Sequence, residues 1–161
     1  MPDAPFVIRR ATRADLPTLG RLGAHLMRVH HEFDRKRFVA PGRNPEAGYA
    51  HFLGTQIDAD DATVLVADRA GTVLGYTFAG IEPFSWKDLR DVAGYVHDIV
   101  VDEGERRSGV ASALMEAAIA WVREQGVANV MLGTAAQNVG AQRLFERLGF
   151  RPTMIEMTRE V

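Results

Sequence analysis

The stretch that decides the fold is Val100-Val101-Asp102-Glu103-Gly104-Glu105-Arg106-Arg107-Ser108-Gly109-Val110-Ala111. β-Branched residues lead into it, a polar turn carrying two arginines fills its middle, and small residues at Gly109 and Ala111 open an amphipathic run. A strand ends here, the chain turns, and a helix begins. The first turn of a helix leaves backbone N–H groups unpaired and carries partial positive charge, which suits a phosphate. Small residues let that backbone approach the phosphate oxygens, and Arg106 and Arg107 add charge-assisted donors. The same residues also read as an ordinary helix start whose arginines face water, and the loop alone does not separate the two.

Working outward, the helix that the loop opens runs over Gly109–Gln125, with Val110, Leu114, Ala118, Trp121 and Val122 on one face and a stop at Gly126. A strand over Val127–Leu132 follows, then a helix over Val139–Leu148 stopped at Gly149, and a last strand over Arg151–Met157. Upstream, Gly94–Val101 is a strand. Thr63–Ala67 and Val73–Ala79 form a hairpin across Ala70-Gly71-Thr72. Leu16, Leu19, Leu22, Leu26, Val29 and Phe33 step at helical intervals behind a capping box that starts at Thr12 and closes at Asp15. Glu46–Ile57 is a second helix, Phe6–Arg10 a first strand, and Glu82–Asp91 an irregular polar stretch. The order is β-α-α-β-β-β-α-β-α-β, an α/β (α+β) chain with a mixed sheet and helices on both faces.

At 161 residues the chain fits a single domain over 1–161. It has no cysteine, which removes disulfides, thiolate metal sites and a cysteine nucleophile together. A net charge of −2 asks for neither a nucleic acid nor an anionic membrane as partner. The opening Met1-Pro2-Asp3-Ala4-Pro5 lacks the basic and apolar parts of a signal segment, and no apolar run reaches membrane-spanning length. The expected location is cytoplasmic.

Arg106-Arg107-Ser108-Gly109-Val110-Ala111 resembles the acetyl-coenzyme A signature of the GNAT superfamily, [Arg/Gln]-x-x-Gly-x-[Gly/Ala]. One helix and one strand later, Asn138-Val139-Gly140-Ala141-Gln142-Arg143-Leu144-Phe145-Glu146-Arg147-Leu148-Gly149-Phe150 is similar to that family's Asn-x-x-Ala-x-x-[Leu/Phe]-Tyr-x-x-x-Gly-Phe ending. The resemblance implies a mostly antiparallel central sheet and an N-acetyltransferase that uses acetyl-CoA as co-substrate; no metal is expected, since His30 and His31 diverge on a helix and no complementary pair is evident. It places the pantetheine arm against the backbone of Ile99, Val100 and Val101, and the pyrophosphate against Arg106, Arg107, Ser108, Gly109, Val110 and Ala111 with Ser112 adjacent. Asn138 falls where the family's asparagine contacts the cofactor, and is also an N-cap for the last helix. Phe145 departs from the pattern: family members that carry tyrosine there use it to protonate the departing thiolate, which phenylalanine cannot do.

Aminolysis of a thioester needs a neutral amine and a donor for the oxygen of the tetrahedral intermediate. By the resemblance, the donor is a strand amide at Val100 or Val101, and the base is an acidic residue on that strand or its neighbour. Asp98 is the first candidate, with His97 and Glu82 behind it. Strict alternation puts His97 and Asp98 on opposite faces. The acceptor, a small-molecule or peptide amine, is expected to meet the first helix pair and the stretch holding Phe84 and Trp86. A homodimer is the default form of any self-association.

Two rival readings compete with the transferase. One is a non-catalytic acyl-CoA-binding sensor on the same fold, suggested by Phe145. The other is a different phosphate-binding module, against which the chain lacks both Lys-[Ser/Thr] after the loop and a Gly-x-Gly-x-x-Gly run.

Overall fold

The computed structural model describes residues 5–161, so the signal-segment reading of Met1–Ala4 lies outside it. Strand β1 is Val7–Arg10, helix α1 Leu16–Phe33, α2 Pro45–Ile57, β2 Ala62–Arg69, β3 Thr72–Glu82, β4 Ala93–Val101, α3 Val110–Glu124, β5 Val130–Leu132 and α4 Val139–Arg147. Short 3₁₀ turns at Arg13–Asp15 and Glu103–Glu105 precede α1 and α3. The strands lie in the order β1-β2-β3-β4-β5, antiparallel throughout except for the parallel pair β4–β5.

Local chemistry accounts for most of the boundaries. Asp15 closes the capping box, its Oδ2 accepting from the Thr12 amide at 2.7 Å, while the Arg9 guanidinium grips the same carboxylate at 2.8 and 2.9 Å. Ala70 and Gly71 both have positive φ, 50° and 88°, the geometry of a tight two-residue hairpin turn. Asn44 caps α2 and Asn138 caps α4, each accepting at 3.2 Å from an amide three residues on.

The sheet separates two cores. Leu19, Leu22, Leu53, Val64, Val66, Tyr76, Phe78 and Val100 fill the side under α1 and α2. Val96, Met115, Ala118, Trp121, Val122 and Phe145 fill the other side under α3 and α4. Gly20 and Gly23 line the seam between α1 and α2: a Cβ at Gly20 would sit 2.4 Å from the Glu46 carbonyl oxygen, and one at Gly23 would sit 2.0 Å from the Tyr49 ring. Only glycine lets α2 come this close.

Two expectations are corrected. The strand expected over Arg151–Met157 does not form: Gly149, with φ 90°, turns the chain out of α4, the Phe150 amide bonds back to the Phe145 carbonyl at 3.0 Å, and residues 151–161 run on exposed, without a strand neighbour. β-Propensity makes no strand until an edge receives it. The strand expected from Val127 starts at Val130, because the Val127 amide still bonds to Val122 at the end of α3. Among the described residues, no helix is long and apolar enough to cross a membrane, and no group of three His, Asp or Glu side chains gathers as metal ligands.

Candidate active site

The site begins with a parting of strands. β4 and β5 pair at Gly94 with Val130, Tyr95 with Met131 and Val96 with Leu132, and then diverge. From His97 to Val101 the β4 backbone has no strand partner on that side, so its amides and carbonyls line an open cleft. The far wall is formed by exposed Gly133 and Thr134, leading to Asn138 at the start of α4. An extended ligand can pair with such an edge as an added strand.

At the point of parting, β4 carries a bulge. Ala79 of β3 pairs with Val96 and Phe78 with Asp98, so His97 is an extra residue without a partner. A bulge puts two consecutive side chains on one face, and the expected opposition of His97 and Asp98 disappears. Both lie on the α2 side. Asp98 Oδ2 accepts from Tyr49 of α2 at 2.8 Å and from Tyr76 of β3 at 2.9 Å. His97 stacks on Phe78 at 4.8 Å and on Tyr95 at 4.9 Å, while Phe52 of α2 meets the edge of Phe78 at 5.6 Å.

The three candidate bases stand in different surroundings. Asp98 is 8% exposed, and burial pushes its carboxyl above the usual range, partly offset by the two phenol hydrogen bonds. Burial and the neighbouring carboxylate push both phenols up, so they keep their protons and donate them to Asp98. His97 is accessible, its side chain 31% exposed, and its Nε2 lies 3.0 Å from Glu82 Oε1. A carboxylate that accepts from Nε2–H fixes the tautomer and leaves Nδ1 as a proton acceptor.

The cleft leads to the loop singled out in the sequence. The Asp102 amide bonds to Leu74 at 2.8 Å, closing the strand end. Arg107 and Gly109 then adopt positive φ, 64° and 83°, and Gly109 becomes the N-cap of α3. Arg106, Arg107, Ser108 and Gly109 are exposed, and a Cβ built on Gly109 meets nothing within 4 Å, so the approach to the helix start is open. Ala111 and Ser112 lie half-buried in the first turn, whereas the Val110 side chain is fully buried against Leu65, Leu74 and Leu114 and offers only its backbone. Of the three leading residues, Val100 turns its side chain into the α1–α2 core and Ile99 and Val101 turn theirs toward α3, which leaves main chain for a ligand.

Other residues resolve into packing or surface. Phe145 is buried beneath α3 with Phe150 6.0 Å away, a core residue. Phe84 and Trp86 meet edge to face at 5.1 Å, but Trp86 is 82% exposed and covers no part of the sheet. The charge run at the end of α1 is spent on exposed ion pairs, Arg35 with Glu32 and Lys36 with Glu160. Sequence reasoning missed Tyr49 and Tyr76 as partners of Asp98. The usable signal was that a tyrosine on an apolar face must find an acceptor for its hydroxyl. It also missed Gln142, whose amide holds the Ala135 and Ala136 carbonyls at 2.9 and 3.0 Å and fixes the cleft's far wall.

A β4–β5 pair that stops after Val96, with a free β4 edge running into an exposed, arginine-bearing helix start, marks this class of α/β fold. A family model described as the acetyltransferase (GNAT) family matches residues 26–150, and the chain belongs to that family. It is 35% identical over 91 residues to a mycothiol acetyltransferase of Thermobispora bispora, covering 56% of this chain and 30% of that protein. It is 28% identical over 117 residues to an N-alpha-acetyltransferase of Sulfurisphaera tokodaii, covering 69% and 70%. The chain therefore spans about a third of the length of the mycothiol relative. Among solved structures, a variant of the BH1408 protein of Bacillus halodurans superposes with a TM-score of 0.80 at 24% identity, covering 96% of this chain and 99% of that one. An aminoglycoside N-acetyltransferase in complex with CoA superposes with a TM-score of 0.76 at 18% identity, covering 100% and 98%. These likenesses carry the fold.

Proposed function

We propose that the chain is an N-acetyltransferase that moves the acetyl group of acetyl-CoA to a primary amine by direct attack. The observation that carries this reading is the unpaired β4 edge from His97 to Val101, continuous with the open loop Arg106–Ala111. In this reading the backbone of Ile99, Val100 and Val101 pairs with the pantetheine amides. Main-chain amides from Arg106 to Ala111, with Ser112 beside them, take the pyrophosphate, and Asn138 closes the far side.

Of the candidate bases, His97 with Glu82 behind it fits the task better than Asp98, whose accepting oxygen is already occupied by two phenols. The amine nitrogen attacks the thioester carbon, a β4 amide stabilises the oxyanion, and His97 takes the proton from nitrogen as the intermediate forms. Glu82 stabilises the resulting imidazolium. The C–S bond then breaks. With Phe145 buried and without a hydroxyl, the thiolate takes its proton from solvent or from Tyr95, the tyrosine not engaged by Asp98, whose hydroxyl lies beside Gly133. A thiol's ordinary pKa of ~8.5 makes the thiolate a tolerable leaving group without help. The Glu82 carboxylate beside His97 favours an acceptor that arrives as a cation and gives one proton to solvent before the neutral amine attacks. The names of the aminoglycoside and mycothiol relatives point to small molecules.

Acetyl-CoA is expected to raise Tm, since a ligand at a hundred times its Kd stabilises by about 2.7 kcal/mol. An amine panel should then stimulate CoA release, and His97→Gln or Glu82→Gln should lower kcat/KM for the amine by roughly 10²–10⁴ while the acetyl-CoA shift persists. Absence of any shift would remove the cofactor assignment. The second reading, an acyl-CoA sensor, is favoured by Phe145 alone, and a clear shift without CoA release from any amine would establish it.

A further inference from the structure

The His97 ring lies in a seat that β3 provides. Phe78 belongs to the α1–α2 core, and by alternation Gly80 and Glu82 follow it on the same face of β3. Register sets Tyr95 of β4 opposite Gly80 and Asp98 opposite Phe78. Along the strand, Tyr95 therefore stands on one side of His97 and Phe78 on the other. The three rings stack in a row, Phe78 to His97 at 4.8 Å and 26°, His97 to Tyr95 at 4.9 Å and 29°. The edge of the imidazole lies over Gly80, where a Cβ would meet Nε2 at 3.6 Å and Cδ2 at 3.9 Å. From this place Nε2 reaches Glu82 Oε1 at 3.0 Å.

Glycine inside a strand weakens it, and it marks a bulge, a bend or the close approach of another group. Packing explains two other glycines of this sheet. A Cβ at Gly75 would stand 2.5 Å from the Val100 carbonyl oxygen, and one at Gly94 would stand 2.4 Å from the Val122 side chain. Gly80 is under neither constraint. Its nearest neighbour would be the Asp61 carbonyl oxygen at 3.5 Å, an ordinary contact, and its φ is not positive. The backbone there would take alanine. A branched side chain is different, because its outer atoms would enter the space that the imidazole fills.

We propose that Gly80 is a positioning residue for His97: the side chain missing at position 80 is the seat of the imidazole, and Phe78 and Tyr95 keep the ring in it with Nε2–H on Glu82. The proposal rests on the reading of His97 as the base. A ring held on two sides and pinned at one nitrogen presents its other nitrogen in one orientation, and orientation is a large part of what a base contributes.

Gly80→Ala should melt no lower than the parent and turn over close to it. Gly80→Val should keep the acetyl-CoA shift in Tm and lose roughly 10²–10⁴ in kcat for the amine, as His97→Gln does, with KM little changed. Added to His97→Gln, the valine should cost nothing further, since the residue it acts through is gone. Nitrogen-15 spectra read the seat without turnover, the His97 signal being the one absent from His97→Gln. They should show the Nε2–H form in the parent and in Gly80→Ala, and a loss of that preference in Gly80→Val. An unchanged His97 signal in Gly80→Val, or losses that multiply in the double variant, would overturn the proposal. Parental turnover in His97→Gln would instead overturn the base reading, and the spectra would still decide the seat. Should valine prevent folding, Gly80→Ser extends one atom beyond Cβ into the same space and is read by the same outcomes.

Discussion

Asp98 shows how far one side chain's surroundings decide its task. Burial raises its folded-state pKa above the unfolded value, so the folded protein holds this proton more tightly than the unfolded chain does. Stability is therefore fully present below the ordinary carboxyl range and declines as pH rises through the raised value. The decline is up to about 1.4 kcal/mol per pH unit across that interval. Asp98→Asn keeps an acceptor for Tyr49 and Tyr76 and removes the titration. Denaturant unfolding from pH 4 to 8 should show the variant gaining on the parent as pH rises, with amine turnover near normal. A hundredfold loss of turnover beside an unchanged stability profile would return Asp98 to the role of base. The family resemblance ranked Asp98 ahead of His97 and Glu82 as candidate base, and alternation along one strand set His97 and Asp98 on opposite faces. Neither showed the bulge at His97, because a bulge is a property of two strands in register, and the register with β3 is written outside β4.

Between elements, the α1–α2 seam makes a sharper claim. Gly20 and Gly23 let α2 approach, and that approach delivers Tyr49 to Asp98. Gly23→Ala places a Cβ inside the Tyr49 ring, and overpacking of this kind costs about 1–3 kcal/mol. Tyr49→Phe removes one of the two donors to the buried Asp98 carboxylate, at a cost of about 1 kcal/mol. The two effects share one contact, so the double variant should lose clearly less than their sum, as measured by a thermodynamic cycle in urea. Additive losses would show that α2 positions Tyr49 without the seam. The elements themselves were largely legible: three-to-four-residue apolar spacing gave α1 and α3, and caps at Thr12 and Asn138 gave the starts of α1 and α4. The Arg106–Ala111 loop was legible because helix-start chemistry is local. The short β5 and the missing last strand were not, since strand length depends on what the neighbouring edge offers.

At the scale of the molecule, two cores lie on opposite faces of one sheet, and β4 serves both, with Val96 in the α3–α4 core and Val100 in the α1–α2 core. Its extra residue works like an edge dislocation in a crystal, an inserted half-row that local rearrangement can move but not annul. Removing His97 itself would heal it, bringing Val96 and Asp98 into consecutive register opposite Ala79 and Phe78. A chain lacking His97 should consequently melt no lower than its parent, yet lose the acetyl-CoA shift and amine turnover together, because a mended lattice would draw the β4 edge back toward β5. Scanning calorimetry with and without acetyl-CoA reads both effects, and a deletion that melted lower while still binding would contradict this account. The flaw in the sheet's order is then the working part, and selection for regularity and selection for chemistry pull this strand in opposite directions.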